Sequence, residues 1–362
     1  MCIRDRSITV SLEAPAFAGT YYIDDGDIII TKDENGRQTV KRSESDTSEI
    51  EDNGEIIITT REQTITTQES DLEGPAAEDT GFGPVVEENY QPAQPEDAEE
   101  PKDADRPEDA EEPKSADRQE SAEEQESAGP QPQQAAPAAA PAASTPVNKK
   151  ENGFWGNTIT VINNFANKAL KLTLKDVKID VSNDYDFNDG KAALSVQGDG
   201  NVTIELDGKN ELKSGYGRAG LEKNTSKGTL TLKDDKEPGS LKAEGGTGAA
   251  GIGGSENNGT NNITISGGTV KAIGGPQSAG IGGGNGGGGD HITITGGTVT
   301  AEGGPGGAGI GSGGEGDGDG GSHITITGGT VNAIGGYWGA GIGGGGFKSG
   351  NDITITGGTV TA

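Results

Sequence analysis

Cysteine and methionine each occur once in 362 residues, and both, Met1 and Cys2, lie in the opening MCIRDR. That hexapeptide reads as the translation of a sequencing-library adapter, so residues 1–6 are set aside as a scar and the natural start is expected upstream. Without them the chain has no thiol for a disulfide framework or for nucleophilic catalysis. Aromatic residues make up 4% and hydrophobic residues 29%, so any core must be thin and repetitive. Positive charge is scarce: 28 Lys and Arg face 58 Asp and Glu, a formal charge of -30. Nucleic acid and anionic membrane surfaces need a basic face and are excluded as partners. Cations and neutral sugars are not. No apolar run approaches the roughly 20 residues of a membrane-spanning helix.

After the scar, SITVSLEAPAFA resembles the end of a secretory signal, with Ala16-Phe17-Ala18 as a small-x-small cleavage site. Residues 7–18 are therefore expected to be a signal remnant, and the protein secreted or at the cell surface. Residues 19–69 contain two turn-then-strand phrases, IDDGDIIIT and IEDNGEIIIT, and are expected to form a short β segment. Composition then changes. Pro95 to Glu126 holds 15 acids against four bases and no large apolar side chain. Such a stretch cannot bury enough surface to offset its ordering entropy, so 70–152 is expected to be a disordered acidic and Pro/Ala linker.

From Gly153 onward a repeat organises the chain. The phrase I-T-I-[ST]-G-G-T-V begins at Ile263, Ile292, Ile324 and Ile353, spaced by 29, 32 and 29 residues. Each complete unit holds three apolar pieces, for example Ile292 and Ile294, then Val299 and Ala301, then Ala308 and Ile310. Residues two apart share one face of a strand, and the intervening glycines suit tight corners. A three-strand unit that cannot close its own core must stack on copies of itself. The expected fold is thus all-β, a right-handed parallel β-helix (β-solenoid) over 153–362. Degenerate units place Leu221 and Ile252 in one column with Ile281, Ile310 and Ile342. The closing ITITGGTVTA stops after a second strand, so truncation at the C-terminus is expected.

The run VTIELDGKNELKSGYGRAGLEKN, followed by repeats built from ITITGGTV and AGIGGG, resembles secreted repeat proteins of anaerobic gut bacteria described as carbohydrate-binding-domain proteins. The resemblance covers about Asn157 to Ala362. It implies an exported or surface β-helix with a polysaccharide or glycan as ligand, a host or bacterial surface as a further partner, and calcium as the one candidate cofactor. It supplies no functional motif to carry over residue by residue.

Four features could carry binding. GAGIGG from Gly339 matches the spacing of a dinucleotide loop, but another glycine corner follows where a helix is required. Asp184, Asp186, Asn188 and Asp189 in DYDFNDG offer the oxygen ligands calcium prefers, although the glycine falls one place late for an EF-hand; Asp317 and Asp319 are a weaker candidate. His291 and His323 fall in one column with Asn262 and Asp352; the sequence supplies no further ligands beside them, so a polar ladder is expected. Tyr337 and Trp338 occupy a corner whose column includes Tyr216 four coils earlier, with Arg218 close by. Flat aromatics suit stacking on a sugar, and a guanidinium suits its hydroxyls or a carboxylate.

The reading that follows is a non-catalytic carbohydrate-binding protein. A structural adhesin or stalk is the alternative. A polysaccharide lyase-like enzyme is a minor one, because the outward faces from Asn262 onward carry threonine rather than clustered acids with a base. The outward T-x-T columns also make an ice-binding solenoid a minor alternative.

Overall fold

The structure is a computed structural model that describes residues 19–43, 47–61, 148–150, 152–182, 190–316 and 320–362. The scar, the signal remnant, nearly all of the acidic linker, the candidate ligands Asp184, Asp186, Asn188 and Asp189, and the pair Asp317 and Asp319 lie outside the described residues.

The fold is a parallel β-helix. One coil illustrates its construction: a strand Gly289–Ile294 on face 1, a strand Thr298–Glu302 on face 2, and a two-residue strand Ile310–Gly311 on face 3. The next coil repeats it with Gly321–Ile326, Thr330–Ile334 and Ile342–Gly343. Faces 1 and 2 form one 15-stranded sheet, because the long strand Val202–Lys213 runs through both; face 3 lies in a 10-stranded sheet.

Alternation dictates which side chains enter. Ile292, Ile294, Val299, Ala301, Ala308 and Ile310 are all fully buried, and Thr293 between them is not. Parallel pairing stacks identical residues, Ile263 on Ile292, Val270 on Val299 and Ala272 on Ala301. The column expected from sequence forms in register: Leu221, Ile252, Ile281, Ile310, Ile342. Ile353 and Ile355, on the edge strand of the described sheet, are 39% and 50% exposed.

Glycine sets two of the bends. Gly297, between faces 1 and 2, has φ +84°, and the same corner recurs at Gly268, Gly329 and Gly358. On face 3, Gly311 has φ +138° and a Cβ there would stand 1.9 Å from the carbonyl oxygen of Gly343. Any side chain at that point would push two coils apart.

Strands on both sides of the acidic stretch share these sheets. Gly19–Tyr22 pairs in parallel with Ile56–Thr59, which pairs with Leu170–Lys175 on face 1. Ile28–Lys32 pairs in parallel with Ile159–Asn163 on face 3. The described chain pauses at Arg61, after a face 1 strand, and is described again from Asn148, where Trp155 bridges to Ile179 on face 2. At the other edge of face 3, Gln38–Lys41 and Ile50–Glu51 add two antiparallel strands. They turn a parallel edge into a short, charged antiparallel one, which suits it poorly for pairing with another chain.

Candidate functional site

Face 3 is so short that the glycine loops on its two sides meet. The loop before it and the loop after it hydrogen-bond directly, as in Glu256 N–H to Gly217 O at 2.9 Å, Gly314 N–H to Gln277 O at 2.8 Å and Gly346 N–H to Gly306 O at 2.8 Å. Repeated coil after coil, these contacts build a ridge of backbone and small residues. Side chains on the ridge are therefore conspicuous.

Three of them are aromatic. Tyr337 and Trp338 follow the glycine pair after the face 2 strand, and Phe347 follows the three glycines after the face 3 strand. Their exposures are 72%, 69% and 95%, against 4% for the chain's other tryptophan, Trp155. The Tyr337 and Trp338 ring centroids lie 4.7 Å apart, and those of Trp338 and Phe347 6.2 Å apart. Trp338 has φ +70° and Phe347 φ +64°, left-handed values that bulky residues rarely adopt. At the position of Trp338 other coils carry Gly217, Gly248, Gln277 and Gly306; at that of Phe347 they carry Asn257 and Gly286, all with positive φ. The bend belongs to the fold and the aromatic side chains to this coil alone. Sequence reading found Tyr337 and Trp338 but missed Phe347, which lies nine residues from Trp338 along the chain and reaches it only because the two loops meet.

Tyr216 and Arg218 occupy the same ridge four coils earlier, about 19 Å away at 4.8 Å per coil, so they do not join the cluster. Arg218 is engaged: Nη2 donates to Glu222 Oε1 at 3.0 Å and Nε lies 2.9 Å from Oε2. Burial raises the Glu222 carboxyl above its ordinary range, while Arg218 and a backbone hydrogen bond from Ala219 pull the other way. Tyr216 lines a shallow groove with Lys213, Glu244, Thr247 and Pro276.

The histidine column forms as a stack. The rings of His291 and His323 are 4.6 Å apart and 14° from parallel. The four residues of the column, Asn262, His291, His323 and Asp352, have φ of 55°, 49°, 48° and 50°. Each is the left-handed kink by which a coil turns into face 1, and Asn, Asp and His are the non-glycine residues that tolerate it best. Asp290 supplies what the sequence reading did not foresee, a carboxylate that bridges the Nδ1 atoms of the two stacked rings. Burial opposes its charge, but hydrogen bonds from His323, Ser322 and His291 outweigh this and hold the carboxyl below its ordinary range.

After the glycine-rich GAGIGG the chain turns into a further loop and a face 1 strand; among the described residues the sole helical segment is the single turn Ile23–Asp25. No helix of the described residues is long and apolar enough to cross a membrane.

The family model described as Beta helix repeat matches residues 263–285, 292–314 and 324–346, three of the stacked coils. Together with the pairing above, this makes the chain a β-helix repeat protein. No curated protein and no solved structure matches it.

Proposed function

We propose that the protein is an exported or cell-surface, non-catalytic carbohydrate-binding β-helix, with Tyr337, Trp338 and Phe347 as the platform on which a sugar chain stacks. The observation that carries this reading is the exposure of three adjoining aromatic rings on a ridge built mostly of backbone and small residues. Stacking on a pyranose needs a flat apolar face open to solvent, and hydroxyls at the sugar's rim need hydrogen-bonding groups around it. The resemblance of the repeat phrases to carbohydrate-binding-domain proteins supports the same ligand class. Calcium remains a candidate cofactor through Asp184, Asp186, Asn188 and Asp189.

The test is co-sedimentation with a panel of insoluble plant, host and bacterial polysaccharides. At least one should retain the wild-type chain, and Trp338→Ala with Phe347→Ala should weaken retention by at least about tenfold, as removal of an aromatic anchor does. Absence of binding across the panel would leave the stalk or adhesin reading, in which the stacked coils are a rigid spacer.

A further inference from the structure

Where each coil turns into face 1, two successive coils bring an acid and two imidazoles together. Asp290 and Ser322 are paired residues of adjacent parallel strands, each followed by a left-handed histidine. The kink throws His291 and His323 to the outside, one above the other, and Asp290 reaches across both coils. Its Oδ2 lies 2.7 Å from His291 Nδ1, its Oδ1 2.8 Å from His323 Nδ1, and Ser322 Oγ donates to Oδ1 at 2.9 Å. One ligand atom from each of Asp290, His291 and His323 lies within 4.8 Å of the others. On the far side of the stack, Asp352 Oδ2 stands 3.6 Å from His323 Nε2.

We propose that Asp290, His291 and His323 form a binding site for a divalent first-row transition ion of the zinc class, joining two neighbouring coils. Two imidazole nitrogens and one carboxylate oxygen are the donor set that zinc takes at about 2.0–2.2 Å, with water completing the shell. Calcium and magnesium, which require oxygen ligands, are not served by it. Both rings turn Nδ1 inward, so each neutral imidazole carries its proton on Nε2 when the ion is held. Asp352 stands beside Nε2 of His323, where an outer carboxylate orients a ligating histidine and strengthens it as a donor. The three side chains are 38% to 56% exposed, which leaves the ion a path in and room for its waters. The shift needed is small, a tilt of two exposed rings toward one point, because the parallel register already sets their spacing.

The protein itself supplies the control substitutions. Asn262 holds the same left-handed position one coil earlier, and Asn261 is the register partner of Asp290. His291→Asn with His323→Asn, and separately Asp290→Asn, should therefore fold, as circular dichroism melts will verify. Zn2+ binding is measured by calorimetry on the full chain, with excess Ca2+ present to occupy the acidic stretch. The wild type should bind one Zn2+ per chain and melt at a higher temperature with it. Both variants should bind at least about tenfold more weakly and lose the thermal shift. No Zn2+ binding by the wild type, or binding of equal strength in the double histidine variant, would overturn the proposal.

Discussion

Single positions here are governed by backbone geometry more than by side-chain chemistry. The alternation of Asn262, His291, His323 and Asp352 looks like a polar ladder in sequence, but their common φ near +50° shows that each is chosen to kink the chain. Lys223 is a second case. It stands where later coils carry Gly254, Gly283, Ser312 and Gly344, is 1% exposed, and its ammonium reaches Ser226 Oγ at 3.0 Å and Asn261 Oδ1 at 3.3 Å. Burial lowers its pKa to about 8 from 10.5. Between those values the folded protein binds fewer protons at Lys223 than the unfolded chain, so this group makes stability rise with pH. Tyr21, raised from 10 to about 12 by burial and by Asp52, acts in the opposite sense above pH 10. Urea denaturation between pH 8 and 10 should thus show wild-type stability gaining relative to Lys223→Met; a flat difference would contradict the lowered pKa.

The elements are coils, and each coil is legible in proportion to how well it keeps the repeat. Ile292, Val299 and Ile310 could be assigned to three inward columns from spacing alone, and their pairing follows that assignment. The strands Gly19–Tyr22 and Ile28–Lys32 could not be assigned to the same sheets. They carry no ITITGGTV phrase, and their partners Ile56 and Ile159 are brought to them by tertiary pairing that short β-branched runs do not encode. Phe347 was illegible for a related reason, since its contact with Trp338 depends on two loops meeting across a two-residue strand. The coil also has a weakest substitution point. Gly311→Ala places a Cβ against the backbone of the next coil and should cost more than Ile310→Ala, which leaves a cavity worth about 2–5 kcal/mol. Chemical denaturation of the two variants compares them directly; a Gly311→Ala protein as stable as wild type would mean that the coils can separate locally at little cost.

Across the whole molecule, charge and apolar surface are distributed unevenly. Toward the N-terminus the outward faces carry cross-strand ion pairs, Lys178 with Glu211 and Lys213 with Glu244 on face 2, and Lys233 with Glu205 on face 1. Toward the C-terminus threonine columns replace them, as at Thr264, Thr293, Thr325 and Thr354. The exposed aromatic cluster lies on this threonine-rich part of the helix. The fluorescence of the chain isolates this cluster, because Trp155 is 4% exposed and Trp338 is 69% exposed. The most direct measurement is a titration of tryptophan emission with soluble polysaccharides, run beside a binding assay that does not depend on fluorescence. Sugar stacking on the ridge predicts a saturable change in emission that tracks binding and disappears in Trp338→Ala. Binding that leaves the emission unchanged, or a change that survives Trp338→Ala, would contradict it.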